Sequence, residues 1–169
     1  MSLPAPISIN DQLVQIRDVL NGWGIAQGYN VTAHIVSNTY DLWNQSSQNS
    51  QTPMIYVCFL GERSRGGFEH WATWHRVDRD FVVRVKRGRG FLAERGDSVA
   101  NGQNTETPFV SILEQVRDKC RCILSISEEL PAIDYSGMTM VRLGDQVIDC
   151  ADVKFSCASD IPAIIMQQP

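Results

Sequence analysis

The stretch from Trp71 to Lys86 is the feature that most constrains what this chain can fold into. Apolar side chains alternate with charged ones along most of its length. The odd positions are mostly apolar, with Arg79 as the exception: His75, Val77, Phe81, Val83 and Val85. The even positions are mostly charged, with Val82 as the exception: Arg76, Asp78, Asp80, Arg84 and Lys86. A period of two over this length predicts a long strand with one face on a core and the other in water.

Two segments have the spacing of amphipathic helices. The first runs from Asp11 to Trp23, with Ser8 or Asn10 as its cap and with Gly22 and Gly24 predicted to end it. Its apolar stripe is Ile9, Leu13, Ile16, Leu20 and Trp23. The second helix starts at Thr107 and Pro108, a cap followed by a first-turn proline. Its stripe is Phe109, Ile112, Leu113, Val116, Cys120 and Ile123.

Four further stretches predict strands. Val31 to Val36 is short, whereas Met54 to Leu60 is a continuous apolar run typical of a strand buried on both faces, antiparallel to the long strand. Met138 to Leu143 and Val147 to Cys157 follow the second helix, with Gly144-Asp145 as a hairpin turn. The chain is therefore predicted to be a single α+β domain over residues 1–169. Two main helices pack on one face of a mainly antiparallel or mixed sheet.

Four segments lie outside these elements. Residues 1–8 are predicted to be a flexible N-terminal arm, and residues 160–169 a C-terminal tail. Residues 44–52 and 87–107 are predicted to be long loops. Two loops of this length inside a compact domain are typical of function or assembly.

Composition excludes several classes of protein. A hydrophobic content of 43% with 20% charged residues is ordinary for a soluble globular domain. The five cysteines are odd in number and contain no C-x-x-C pair, which favours buried free thiols in a reducing compartment over a disulfide framework or a zinc site. No stretch reaches the roughly 18 apolar residues of a membrane span. No catalytic signature is present, so we predict neither an enzyme nor a cofactor.

Charge is distributed unevenly along the chain. Nine of the fifteen Lys and Arg residues lie between Arg63 and Arg95, where only four acidic residues oppose them. That segment carries a formal charge of +5, which leaves −9 for the remainder of a chain whose net charge is −4. A charge split of this kind suits self-assembly through unlike faces, or a local anionic partner.

A cluster of basic residues at the end of the long strand is the main candidate site. Its members are Arg84, Lys86, Arg87, Arg89 and Arg95. The cluster could contact phosphate, and it could equally be a solvated strand face that discourages aggregation at a sheet edge. We favour a third interpretation, in which it docks on the acidic face of an identical neighbour.

Two tryptophans, Trp71 and Trp74, flank the start of the long strand on opposite faces. One can enter the core, and the other stays partly exposed unless another chain covers it. Exposed aromatic side chains are a pointer to an interface, so both are candidate interface residues.

The order of these elements resembles that of the tail terminator, or tail completion, proteins of long-tailed bacteriophages. A capped N-terminal helix leads to the Pro-led strand Pro53-Met-Ile-Tyr-Val-Cys-Phe-Leu60. A long loop and the strand Phe81-Val-Val-Arg-Val follow, and then the Pro-started helix from Pro108 to Ile123. Short strands close the chain with Val153-Lys-Phe-Ser-Cys157. The likeness covers residues 9–161 and rests on element order and two hydrophobic strings.

This resemblance implies a structural role in the virion. Such proteins form hexameric rings that cap the tail tube, stop its growth and present a surface to the head connector. DNA passes through the ring during ejection. The implied partners are further copies of this chain, a tail tube protein and a head-completion or connector protein, with no membrane. The implied location is the virion neck, assembled in the host cytoplasm. The family has no fixed site motif, so no binding residue carries over by position.

Other functions remain open at this stage. A different tail or head–tail connector component, such as a tube or head-closure protein, can share a related α+β plan. A nucleic-acid-binding domain that uses residues 84–95 would bind DNA with an affinity that falls steeply as salt rises. An enzyme is the weakest of the alternatives.

Overall fold

The computed structural model describes residues 7–26, 33–38, 54–64, 74–89, 99–100, 103–104, 109–121, 123, 131–134, 141–143 and 146–162. The helices are α1 (Ile9–Ala26) and α2 (Phe109–Arg121). The strands are β1 (Ala33–Val36), β2 (Met54–Ser64), β3 (Trp74–Arg89), β4 (Val99–Ala100), β5 (Gln103–Asn104), β6 (Ala132–Asp134), β7 (Val141–Leu143) and β8 (Gln146–Pro162).

One mixed sheet organises the described part of the chain. Its strands lie in the order β1-β2-β3-β8-β6, and β7 pairs with β8 beside this path. Only β1 and β2 pair in parallel, and the other pairs in the sheet are antiparallel. Both helices contribute to the same hydrophobic core on one face of the sheet. The predicted α+β domain with its two helices on one side is confirmed.

The long strand β3 lies at the centre of this sheet. Its residues alternate as predicted, and Val77, Phe81, Val83 and Val85 are all buried. Phe81 pairs in register with Phe59 on β2 and with Phe155 on β8. Its ring centre lies 5.7 Å from that of Phe59 and 5.9 Å from that of Phe155. Three aromatic rings in one row therefore tie the central strands together beneath the helices.

Helix α1 begins at the predicted cap but ends later than predicted. The Ser8 hydroxyl accepts a hydrogen bond from the Asp11 amide at 3.0 Å, which is N-cap geometry. The helix continues through Gly22 and Gly24 to Ala26, so the predicted ending is wrong. A glycine inside a helix costs only about 1 kcal/mol. Burial of Trp23, whose indole nitrogen donates to Gln115 on α2 at 3.3 Å, offsets such a cost.

Helix α2 carries the apolar stripe that its spacing predicts. Its buried residues are Phe109, Ile112, Leu113, Val116 and Cys120. Lys119 and Arg121 lie in its last turn, where basic side chains favour the negative end of the helix. The stripe packs on the face of the sheet that carries Phe81.

Several strands run further than their sequence patterns predict. β2 continues past Leu60 to Ser64 through a register shift between Phe59 and Gly61, where Leu60 is the extra residue of a bulge. β8 reaches Pro162, so the predicted tail 160–169 begins inside a strand. The predicted loop 87–107 likewise begins within β3, and its later part contains the short β4–β5 pair. The predicted loop 44–52 lies outside the described residues.

The sheet face opposite the helices is also buried at its centre. Val36, Tyr56, Cys58 and Val82 form a second hydrophobic cluster there, each at most 3% exposed. The prediction that the even positions of β3 face water is therefore wrong at the middle of the strand. Residues of β1 and β2 cover Val82. The alternation within β3 alone cannot predict this, because β1 and β2 are distant from Val82 in the sequence.

The described cysteines are part of these two buried layers. Cys58, Cys120, Cys150 and Cys157 are all buried thiols, as expected for Cys58 and Cys157 from their apolar strand segments; Cys122 lies outside the described part. Burial raises the pKa of the Cys157 thiol to about 11. Its thiolate, the reactive form, is therefore scarce at neutral pH.

We expect the core to be sensitive to truncation of two of its fully buried large side chains, Phe81 and Leu113. Phe81→Ala and Leu113→Ala should each lower the free energy of unfolding by about 2–5 kcal/mol, because both residues are fully buried. Val110→Ala is the matched control on α2, since Val110 is 44% exposed, and it should change stability by no more than about 0.5 kcal/mol. Urea unfolding followed by circular dichroism measures all three. Equal effects at Val110 and Leu113 would mean that the core has been placed on the wrong face of α2.

Candidate subunit interface

The ladder between β3 and β8 carries most of the predicted interface residues. Its register runs without interruption from Trp74–Pro162 to Arg89–Val147. At about 3.4 Å per residue, this ladder is on the order of 50 Å long. β2 pairs with β3 only from Val77 to Lys86, so the ladder extends beyond β2 by three residue pairs at either end.

These two extensions separate the candidate residues. Trp74 opens β3 at one end, whereas Arg87 and Arg89 lie at the other. The backbones of Trp74 and Arg89 are described, but their side chains are not, and Trp71 and Arg95 lie outside the described residues. The ladder thus holds Trp74 and the basic candidates between Arg84 and Arg89 at opposite ends of the sheet.

The two ends also differ in charge. We define the basic end as residues 84–89, 141–143 and 146–152, which contain five basic and two acidic residues. We define the acidic end as residues 7–12, 61–64, 74–80 and 156–162, which contain three basic and five acidic residues. With histidine neutral, their formal charges are +3 and −2. The antiparallel register places the first group together and the second group together.

Arg84 is buried within the basic end and does not belong to a surface patch. Its Nε and Nη2 donate to the two carboxylate oxygens of Asp152, both at 2.7 Å. Each residue is 5% exposed, and hydrogen bonding to Asp152 raises the pKa of Arg84. The acidic partner predicted on a neighbouring subunit is therefore supplied, for Arg84, by the adjacent strand of the same chain. This corrects the prediction that Arg84 faces a partner.

The Arg87 side chain likewise contacts groups of its own chain. Its side chain is only 12% exposed, and its Nη2 lies 3.9 Å from a carboxylate oxygen of Asp149. The guanidinium carbon lies 5.6 Å from the ring centre of Phe109, the first residue of α2. Arg87 thus joins the end of the sheet to the start of this helix. Like Arg84, it does not belong to an exposed basic cluster.

Lys86 is half-buried on the opposite face of β3. Its ammonium lies 5.1 Å from the ring centre of Tyr56, within the range of a cation–π contact. Burial lowers the pKa of Lys86 and raises that of Tyr56. Tyr56 also stacks on His34 of β1, with ring centres 5.7 Å apart. Lys86 keeps a partly accessible charge at this end.

The register reveals a basic residue that the sequence pattern missed. Val147 of β8 pairs with Arg89 on one side and with Arg142 of β7 on the other. These three residues therefore occupy one row across three neighbouring strands, with the arginine backbones about 10 Å apart. Arg142 is separated from Arg89 by more than fifty positions in the sequence, so only the β7–β8 pairing could bring it into the candidate site.

Arg79 organises the acidic end, and it is buried on the helix-facing side of β3. It is 5% exposed and donates to Glu62 of β2 at 2.8 Å, to the Ile7 carbonyl at 2.7 Å and to the Gln12 amide oxygen at 2.9 Å. Gln12 in turn donates to the Ser159 hydroxyl of β8 at 2.8 Å. We call these five residues the Arg79 clasp. The clasp fixes the start of α1 against the end of the sheet.

Asp80, at an even position of β3 in this end, takes part in cross-strand pairing. One carboxylate oxygen of Asp80 accepts from Arg63 of β2 at 2.9 Å and from the hydroxyl of Ser156 on β8. These contacts pair four of the eight charged residues of the acidic end: Arg63, Asp80, Arg79 and Glu62.

The described part of the chain contains neither a candidate metal-binding cluster nor a candidate membrane-spanning helix. No group of three or more His, Cys, Asp or Glu side chains in that part is placed to hold a metal ion. No helix there is both long and apolar enough to cross a membrane.

Comparison with known proteins does not assign a family. No protein-family model matches the chain, and a search of curated proteins finds no significant match.

We expect the Arg84–Asp152 pair to behave as a buried, coupled unit. Arg84→Met and Asp152→Leu should each cost about 3–5 kcal/mol, because each leaves an uncompensated buried charge. The double variant should lose less than the sum of the two by at least about 1 kcal/mol, as measured by a double-mutant cycle in urea. The exposed Arg117–Asp118 pair is the control and should show a coupling below about 1 kcal/mol. Additive losses at Arg84 and Asp152 would contradict the pairing.

We expect Arg79→Met to loosen the start of α1 selectively. It removes three hydrogen bonds from a buried site, for an expected loss of about 2–4 kcal/mol in unfolding free energy. Amide exchange measured by mass spectrometry should speed up in the first turn of α1 more than in α2. Arg76→Met, at an exposed position of the same strand, should leave both quantities nearly unchanged. Uniform acceleration across both helices would show that the clasp has no local role.

Proposed function

We propose that this protein is a structural subunit of the neck of a long-tailed bacteriophage. In this proposal, six copies form a ring that caps the tail tube, ends its polymerisation and joins the tail to the head connector. The observed α+β domain, with both helices on one face of a mixed sheet, agrees with the architecture that the resemblance implies. The proposal assigns no enzymatic activity to the chain.

The single observation that carries self-assembly is the polarity of the β3–β8 ladder. One end has a formal charge of +3 and the other of −2, and the ladder holds them on the order of 50 Å apart. A two-fold contact centred on either end of the ladder would place like charges face to face. A head-to-tail contact places unlike charges together, and it generates a ring when the rotation closes.

A second candidate, nucleic-acid binding, is favoured by the basic row at Arg89 and Arg142. Two arginine positions about 10 Å apart suit contact with a phosphate backbone. Arg84 and Arg87 contribute less to this reading than the sequence predicts, since both are committed to carboxylates of β8. DNA binding by a monomer, with affinity falling steeply as salt rises, would favour this candidate over the ring.

The mass of the purified protein in solution tests the ring. Light scattering at low and moderate salt should give about six times the monomer mass of 19.0 kDa. Negative-stain images should then show closed rings of uniform diameter. Because unlike charged ends are screened by salt, the assembled fraction should fall as ionic strength rises. A monomer at every concentration, with no rings in the images, would reject the proposal.

A further inference from the structure

We infer that residues 163–166 of one copy add a strand to the exposed end of β2 in the next copy. The inference rests on the proposed ring and names one contact that would join its subunits. The accepting surface is residues 60–64 of β2, which we call the β2 extension. The partner is a second copy of this chain.

The β2 extension lies beyond the pairing of β1. β1 pairs with β2 from Ile55 to Cys58, and of the described strands only β3 pairs with β2 after that point. Four of the five residues of the extension are exposed, whereas residues 55–58 of the same strand are buried. An exposed strand edge presents N–H and C=O groups to which an extended segment of another chain can bond. The β2 extension is therefore a surface suited to strand addition.

Two exposed apolar side chains lie near the β2 extension. Leu60 is the extra residue of the bulge and is 43% exposed, and Ile7 is 47% exposed. Arg79 connects their surroundings, because it donates to the Ile7 carbonyl at 2.7 Å and to Glu62 of the extension at 2.8 Å. Large apolar side chains held beside a strand edge favour an added strand that carries apolar residues.

The charged residues of the β2 extension are paired within the chain. Glu62 accepts from Arg79, and Arg63 donates to Asp80. Since each of these charges has a partner of opposite sign, a strand that adds here needs no charge of its own. An uncharged, apolar segment therefore fits this surface.

The sequence contains such a segment directly after β8. Residues 163–166 read Ala-Ile-Ile-Met and carry no charge. Isoleucine is enriched in strands. Residues 1–6 are also uncharged, but they include Pro4 and Pro6, which have no backbone N–H to donate to a neighbouring strand. Residues 163–166 are therefore the better strand donor.

The course of β8 favours addition to a neighbouring copy over the same copy. β8 and β2 are both antiparallel to β3, and Pro162 pairs with Trp74, three residues beyond the last β2–β3 pair at Val77. To reach the outer side of β2 in its own copy, the chain must move by three strand spacings, about 14 Å. Four extended residues span at most about 14 Å. Residues 163–166 would be used by this crossing, and none would remain to pair.

Cross-linking between two separate variants tests the contact. Leu60→Cys is mixed with an equal amount of Ile165→Cys, and a short bismaleimide joins thiols that lie close together. We expect cross-linked pairs with one chain of each variant, identified by mass spectrometry of the joined peptides. The matched control mixes Val110→Cys with Ile165→Cys, because Val110 is similarly exposed but lies on α2. The control should give no such pair.

A proline substitution tests whether the added strand supports assembly. Ile165→Pro removes a backbone N–H from the segment, and we expect it to need at least about tenfold more protein than the wild type for half-maximal assembly. Gln168→Pro, beyond the segment, should assemble like the wild type. Thermal unfolding should show that both variants are folded. Normal assembly of Ile165→Pro would overturn the inference.

The cross-links also separate the other arrangements. If Leu60→Cys chains join only to each other, the β2 extensions of two copies pair, and the inference is overturned. It is also overturned if the double variant, Leu60→Cys with Ile165→Cys, forms its cross-link only within one chain. A wild-type ring without the mixed pair would reject the contact and leave the proposed function standing. Mixed pairs without a closed ring would uphold the contact and reject the ring.

Discussion

The structure depends on the burial of β3 on both of its faces. The helix-facing side places Phe81 between Phe59 and Phe155, and the opposite side places Val82 in the second cluster. A strand in this position must satisfy every backbone group through its two neighbours, and β2 and β8 provide those bonds. Because β8 follows β3 over its whole length, the ends of the domain are set by this one ladder.

Two buried residues of β3, Arg79 and Arg84, are charged and not apolar. Each one fixes the position of a neighbouring element. Arg79 stands among apolar neighbours and holds the start of α1, while Arg84 stands on the second face and holds β8 in register. A slip of β8 by one residue would leave the Arg84 guanidinium buried without Asp152, at a cost of several kcal/mol. The buried charges therefore specify one arrangement of strands that apolar contacts alone would specify less strictly.

Local sequence pattern predicts the elements well because each depends on near neighbours. The period of two gave the central strand, and the stripe from Phe109 to Cys120 gave α2 with its buried face correctly assigned. The local pattern fails where the environment of a side chain is set by a residue that is distant in the sequence. The prediction of an exposed Arg84 is wrong because its partner Asp152 is 68 positions away. Arg142 was missed for the same reason, since only the pairing of β7 with β8 places it in the row of Arg89.

Folding also changes how the charge of the sequence is distributed in space. The segment from Arg63 to Arg95 carries +5 as a string, which favours a single basic patch. Folding divides that string between the two ends of β3, because Arg63 and Arg79 lie at one end and Lys86 and Arg89 at the other. Carboxylates of β2 and β8 then neutralise Arg79 and Arg84 from the sides. The string of basic residues therefore does not form a single basic patch in the folded domain, because β3 carries its members to both ends of the ladder.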